Sequence, residues 1–131
     1  MNEKNATILV VDDDPSIQEI IRIILQRAGY DVHLAEDGEE AVHRFGEIKP
    51  DLVISDISMP RGDGFNVAIV IRSLDMERKT PILLISAFYD DDANRENAER
   101  CGADGFLSKP FTQKQLVGKV EELLGSARNH G

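Results

Sequence analysis

The chain has one cysteine and no tryptophan, and aromatic residues make up only 5% of its 131 positions. A single cysteine forms no internal disulfide and no zinc site, so a disulfide-stapled secreted scaffold is excluded. The scarcity of aromatic rings leaves no stacking platform for single-stranded nucleic acid. Basic residues are outnumbered 15 to 24 by acidic ones, and the net charge is −9. A domain so charged lacks the basic patch that phosphate backbones require, so it is expected to make no direct nucleic-acid contact. Apolar runs such as Val67 to Ile71 and Ile82 to Ile85 are far too short to span a bilayer, and no membrane partner is expected. The first residues, MNEKNAT, carry no apolar stretch of the kind a secretion signal needs, so a cytoplasmic location is expected.

What is present suits one soluble domain. Hydrophobic residues are 41% and charged residues 30% of the chain, and its length is enough to bury one core without covalent staples. No repeat, low-complexity segment or linker interrupts it, so residues 1–131 are expected to form a single domain with a core over about 6–125.

Short Ile/Val-rich runs alternate with segments of helical period. Strands are predicted at Thr7 to Val11, Asp31 to Ala35, Asp51 to Ser55, Pro81 to Ile85 and Gly105 to Ser108. The first helix opens with Asp14 as cap and Pro15 in its first turn. It carries Ile17, Ile20, Ile21, Ile24, Leu25 and Ala28 at helical spacing and stops at Gly29. The second helix spans Gly38 to Gly46, with Ala41, Val42 and Phe45 inward. The third runs from a cap at Asp63 to about Leu74, and the fourth covers Asp91 to Cys101. The last is capped by Thr112, carries Leu116, Val117, Val120, Leu123 and Leu124, and stops at Gly125. Five strands alternating with five helices imply an α/β fold: a parallel sheet covered on both faces, a doubly wound (βα)5 three-layer sandwich.

In such folds ligands bind at the carboxyl ends of the strands. The first strand ends in Asp12 and Asp13, the third in Ser55 and Asp56, the fourth in Ser86 and Ala87, and the fifth in Ser108, Lys109 and Pro110. Adjacent strands lie about 4.8 Å apart, so carboxylates from the first and third strands can reach one ion. Their mutual repulsion is relieved by a hard divalent cation such as Mg2+, which takes one or two carboxylates with waters and phosphate oxygens. The Lys109 ammonium can pair with an anion, and the Ser86 hydroxyl can donate to it. A carboxylate nucleophile beside a cation, an ammonium and a hydroxyl is the equipment of aspartyl phosphoryl transfer. A solvated acidic turn would explain Asp12, Asp13 and Asp14 alone, but neither Asp56 nor Lys109.

Four segments carry a family resemblance: ILVVDDD at Ile8 to Asp14, DLVISDISMPRGDGF at Asp51 to Phe65, PILLISAF at Pro81 to Phe88, and GADGFLSKPF at Gly102 to Phe111. Together they resemble the receiver domain of two-component response regulators over nearly the whole chain. The resemblance implies a flavodoxin-like sheet of order 2-1-3-4-5. It implies a phosphorylation-dependent signal receiver, a switch and not a conventional enzyme. Asp56 would accept a phosphoryl group from a sensor histidine kinase, a histidine phosphotransfer protein or a small phosphodonor. Asp13, Asp56 and the backbone carbonyl of Ser58 would hold Mg2+, with Asp12 acting through water. Ser86, the backbone N–H of Ala87 and Lys109 would grip the phosphoryl group. Ser86 and Phe106 would form the switch pair, reshaping the surface of the fourth helix, fifth strand and last helix for an output protein or domain. A cis Lys109–Pro110 bond is common in the family.

A haloacid-dehalogenase-type phosphatase is a second, partial resemblance. There Asp12 of the Asp-x-Asp would be the nucleophile, but the chain lacks a cap and a later acidic pair. A receiver used as a silent scaffold, with its site residues intact, is a third reading. A nucleotide-binding Rossmann or flavodoxin domain is disfavoured, because no glycine-rich loop follows the first strand.

Some residues have plainer readings. Cys101 reads as a small packed residue, and His33, His43 and His130 as surface residues. Ile69 and Val70 fall where family register commonly places charge. They either form an apolar patch for a partner or second subunit, or are tolerated in solvent. Phe88, two residues beyond Ser86, borders the path of attacking water in receivers, which implies slow self-dephosphorylation. Gly105 and the last helix lack the charge pattern common in receivers joined to winged-helix transcription factors, which favours another output class or a protein–protein role. A stand-alone regulator and an excised receiver both fit.

Overall fold

The computed structural model describes residues 6–57, 64–75, 80–86, 96 and 100–130, with the side chains of 64, 65 and 126–130 left aside. Its elements are β1 (Thr7–Val11), α1 (Pro15–Arg27), β2 (Asp31–Ala35), α2 (Gly38–Ile48), β3 (Leu52–Asp56), α3 (Gly64–Leu74), β4 (Ile82–Ser86), β5 (Gly105–Ser108) and α4 (Gln113–His130). The strands form one sheet of order β2-β1-β3-β4-β5. Every pairing is parallel. This is the flavodoxin-like architecture that the resemblance implied.

Period-2 alternation along the strands sorts the core into two layers. Ile8, Val10, Leu52, Ile54, Leu83 and Ile85 pack with Ile21 and Leu25 of α1 and with Leu116, Val120, Leu123 and Leu124 of α4. Leu9, Val11, Val53, Ile82 and Leu84 pack with Ala41 and Phe45 of α2 and with Val67, Ala68 and Ile71 of α3. The three central strands are buried on both faces, which is why they read as unbroken apolar runs. Cys101 is buried in the second of these layers, as its packed reading required.

Several sequence expectations are corrected. Ile20 lies on the solvent side of α1 with Ile23, while Ile21 and Leu25 form the buried stripe. A helix on one face of a sheet buries only part of its circumference, and α1 holds more isoleucines than that stripe can take. Gly46 does not end α2. The helix runs to Ile48 and is closed by Lys49 in the left-handed conformation, φ 53°, with its N–H on the Phe45 carbonyl at 3.0 Å. Gly125 likewise does not stop the last helix, which continues to His130. By contrast, Gly29 does end α1, at φ 100°. Both β3 and β4 sit one residue later than read, so Asp56 and Ser86 are the last ladder residues of their strands.

The predicted cap Asp63 and most of the predicted fourth helix at 91–101 lie outside the described residues. Within that segment Glu96 and Arg100 are helical. Ile69 is 54% exposed, whereas Val70 is half-buried, so the proposed apolar pair is one exposed residue and one flank of α3. The His33 and His43 side chains lie beside Asp31 and Glu47 on the surface.

An arginine clamp closes the amino-terminal end of the sheet. Arg72 donates from Nε to the Gly102 carbonyl at 2.9 Å and from Nη1 to the Thr80 carbonyl at 2.6 Å, and its Nη2 meets the Asp104 carboxylate. Asp104 also accepts from the Ile82 N–H at 2.9 Å. The arginine thus ties α3 to the starts of β4 and β5. Gly102 has φ +89°, which favours glycine, and a Cβ there would crowd Arg72 Cγ at 3.2 Å.

At the other end of β5, Thr112 and Gln115 form a reciprocal cap. The Gln115 N–H donates to Thr112 Oγ1 at 3.0 Å, and the Thr112 N–H donates to Gln115 Oε1 at 2.8 Å. Thr112→Ala is expected to lower stability by about 1 kcal/mol. Urea unfolding checks this: the midpoint should fall with the slope unchanged.

Candidate functional site

β1 ends at Val11, but its ladder continues one residue further through the Asp12 N–H, which donates to the Ala35 carbonyl at 3.1 Å. That bond brings Asp12 to the rim with its side chain buried. Asp12 Oδ1 accepts from the Asp14 N–H at 2.9 Å. Asp14 in turn caps α1, accepting from the Ser16 N–H at 2.9 Å. The acidic run is therefore divided by role: Asp14 serves the helix, and Asp12 and Asp13 face the rim. Asp56 reaches the same place from the end of β3. The carboxylate oxygens of Asp12, Asp13 and Asp56 lie within 4.8 Å of one another. Asp12 is 2% and Asp56 6% exposed.

Lys109 follows β5, its N–H held by the Ser86 carbonyl at 2.7 Å. Its Nζ lies 3.6 Å from Asp12 Oδ2 and 3.8 Å from Asp56 Oδ1. Ser86, 5% exposed, ends β4. It stands opposite Ser108 in the β4–β5 register, and Asp56 stands opposite Ile85 between β3 and β4. Phe106, on β5 opposite Leu84, is half-buried against the α2/α3 core layer. The Lys109–Pro110 peptide is cis. Ser58, Ala87 and Phe88 lie outside the described residues. Thus Asp12, Asp13, Asp56 and Lys109 converge, and Ser86 closes the adjoining strand end.

Burial is the main reason the Asp12 carboxyl is pushed above the ordinary carboxylate value. The Asp14 N–H and the Lys109 ammonium oppose that rise, and the neighbouring charges of Asp13 and Asp14 add to it. Three carboxylates share the rim with one ammonium, two of them nearly cut off from water. An all-oxygen donor set of this kind fits a hard divalent cation.

Two polar residues that serve this architecture have no counterpart in the sequence reading. Arg72 sits at the far end of the sheet. Gln18 of α1 donates through Nε2 to the Asp12 and Ala35 carbonyls, each at 2.8 Å. The available signal for Gln18 was an amide beside Ile17, one helical turn past the Asp14 cap.

Comparison with known proteins decides the family. The response regulator receiver domain family matches residues 8–121. The chain belongs to this family. As a receiver domain, it is 37% identical over 120 residues to the alkaline phosphatase synthesis transcriptional regulatory protein PhoP of Bacillus subtilis, an overlap covering 92% of this chain and 49% of that protein. Among solved structures, the receiver resembles the chemotaxis protein CheY4 of Vibrio cholerae at 33% identity and TM-score 0.85, covering 91% of this chain and 98% of that one. It also resembles the signal receiver domain of a signal transduction histidine kinase from Syntrophus aciditrophicus, at 32% identity and TM-score 0.83, with 92% and 91% covered. The chain spans about half the length of the curated relatives it matches. Several of those are named as transcriptional regulators, which lends no support to the expectation of another output class. The receiver's acidic cluster is consistent with phosphoryl acceptance at an aspartate. Family membership sets aside the haloacid-dehalogenase reading. Among the described residues, no helix is long and apolar enough to cross a membrane.

Proposed function

We propose that Asp56 is the phosphoacceptor of a cytoplasmic signalling switch, charged by the phosphohistidine of a sensor histidine kinase or histidine phosphotransfer protein, or by a small acyl phosphate. The observation that carries this reading is the convergence of the Asp12, Asp13 and Asp56 carboxylates within 4.8 Å of one another, with the Lys109 ammonium bridging Asp12 and Asp56.

An Asp56 carboxylate oxygen attacks phosphorus. The bond from phosphorus to the donor's imidazole nitrogen, or to its acyl oxygen, breaks, and the leaving group departs with that electron pair. The product is an aspartyl phosphate. Asp13 and Asp56, with the Ser58 carbonyl, would hold Mg2+, and Asp12 would assist through water. When bound there, such a cation would offset the charge of the acidic cluster and of the transferring group. Lys109 shifts its pairing from carboxylate to phosphoryl oxygen, and Ser86 and the Ala87 N–H donate to the remaining oxygens.

The readout follows from the bistability of packed elements. Drawing the Ser86 hydroxyl toward the phosphoryl group alters the space beside half-buried Phe106 on the neighbouring strand. The surface of the 91–101 segment, β5 and α4 then changes for an output protein or domain. With a net charge of −9, the domain itself makes no nucleic-acid contact in this scheme.

The test is intact-mass measurement after incubation with acetyl phosphate. One phosphoryl adduct is expected with Mg2+ and none with a chelator in excess. An adduct that forms equally well in chelator would overturn the cation-assisted reading, and no adduct under any condition would favour a silent scaffold.

A further inference from the structure

The acidic segment is held from α1 by a side chain that touches neither a carboxylate nor a cation position. Gln18 Nε2 donates to the Asp12 carbonyl and to the Ala35 carbonyl, each at 2.8 Å. The same Ala35 carbonyl accepts the Asp12 N–H at 3.1 Å. The Asp12 backbone is therefore gripped on both sides of its Cα: its N–H by β2 and its carbonyl by α1. The Gln18 backbone N–H also donates to the Asp14 carbonyl at 3.0 Å. One residue thus fixes both ends of the Asp12–Asp14 segment, and Asp13 lies between the two anchors.

The geometry points to Gln18 as a positioning residue for the cation site. The Asp12 carbonyl belongs to the peptide plane that leads into Asp13, so holding it restricts the backbone rotation that would swing the Asp13 carboxylate off the rim. Asp13 needs this restraint most, because it is the one exposed member of the acidic triad, and burial does not hold its side chain. A ligand segment fixed before the cation arrives loses less conformational freedom on binding. Removing a group that orients a metal-binding segment typically weakens metal affinity by about 10–100-fold. Gln18 is half-buried on α1. This inference rests on the cation-site reading above.

The experiment is calorimetric titration of Mg2+ into the wild-type domain, Gln18→Met and Ile24→Ala. Methionine keeps the length and helix propensity of glutamine but cannot donate. Ile24, half-buried against the α1/α4 core layer, controls for general loosening of α1. Wild type and Ile24→Ala are expected to bind alike, and Gln18→Met about tenfold more weakly. Its Asp13 and Asp14 amide resonances should also shift while the rest of the spectrum stays folded. Equal affinity in Gln18→Met, or equal weakening in Ile24→Ala, would overturn the positioning role and leave the cation site standing. A wild-type domain that binds no Mg2+ would overturn the cation reading and the positioning role with it. If Gln18→Met does not fold, Gln18→Ala is titrated in its place and read by the same outcomes.

Discussion

Asp56→Asn is expected to take up no phosphoryl group from acetyl phosphate or from a phosphorylated kinase, while remaining folded. The amide cannot supply the nucleophilic carboxylate oxygen. The other acids are poor substitutes, since Asp12 Oδ1 is engaged by the Asp14 N–H and Asp13 lies outside the buried pair. Folding is expected to survive because the substitution preserves shape at the end of β3 and removes one of three mutually repelling carboxylates. The ladder bonds of β3 and the Ile57 N–H to the Ile85 carbonyl, 2.9 Å, involve backbone alone. Intact mass reads the adduct and thermal unfolding reads the fold. A full adduct on Asp56→Asn would move the acceptor elsewhere in the chain.

Asp12→Asn should produce opposite effects on stability and on cation binding. Burial holds the Asp12 carboxyl above the ordinary carboxylate value in the folded state. The native protein therefore binds the Asp12 proton more tightly than the unfolded chain does. By linkage, the stability associated with that proton is present below the unfolded-state value and is lost as pH rises through the folded one. At neutral pH, without cation, ionised Asp12 is a net cost to the fold. Asparagine keeps an oxygen for the Asp14 N–H and removes the charge. Cation-free Asp12→Asn is thus expected to melt a few degrees higher than wild type at pH 7, with the gap closing as pH falls toward 4. Losing one of two buried acids should weaken Mg2+ binding by about tenfold or more. Thermal melts across pH and a Mg2+ titration check both signs. A lower cation-free melting temperature would mean that the Lys109 and Asp14 contacts outweigh burial. The same balance explains why a hard cation should stabilise this domain: it removes a repulsion that folding itself creates.

The parallel sheet and its two covers were legible because β1, β3 and β4 are buried on both faces and so carry unbroken apolar runs. The site was legible for a related reason. Chemistry-bearing residues sit just where those runs end, and parallel strands bring all such ends to one rim. Helix ends were legible only in part. Gly29 and Gly102 take positive φ, but Gly46 and Gly125 are ordinary helical residues with open space around them. Composition alone does not separate a glycine that stops a helix from one that merely tolerates it. The inner face of α1 was misread at Ile20 because the helix offers apolar residues on more than one side, and only the neighbouring layer selects which are covered.

By itself, the sequence determined the alternating order of elements, the presence of three acids, a hydroxyl and an ammonium at strand ends, and, through its four motifs, the family. These are local matters of period, composition and spacing. The tertiary structure supplied the distances: it brings the Asp12, Asp13 and Asp56 oxygens within 4.8 Å of one another and carries Lys109 from beyond β5 to stand between Asp12 and Asp56. It also decided the Gln18 and Arg72 anchors. Contacts between residues distant in sequence, as from Arg72 to Asp104, depend on how the layers pack, and no periodicity along the chain encodes that.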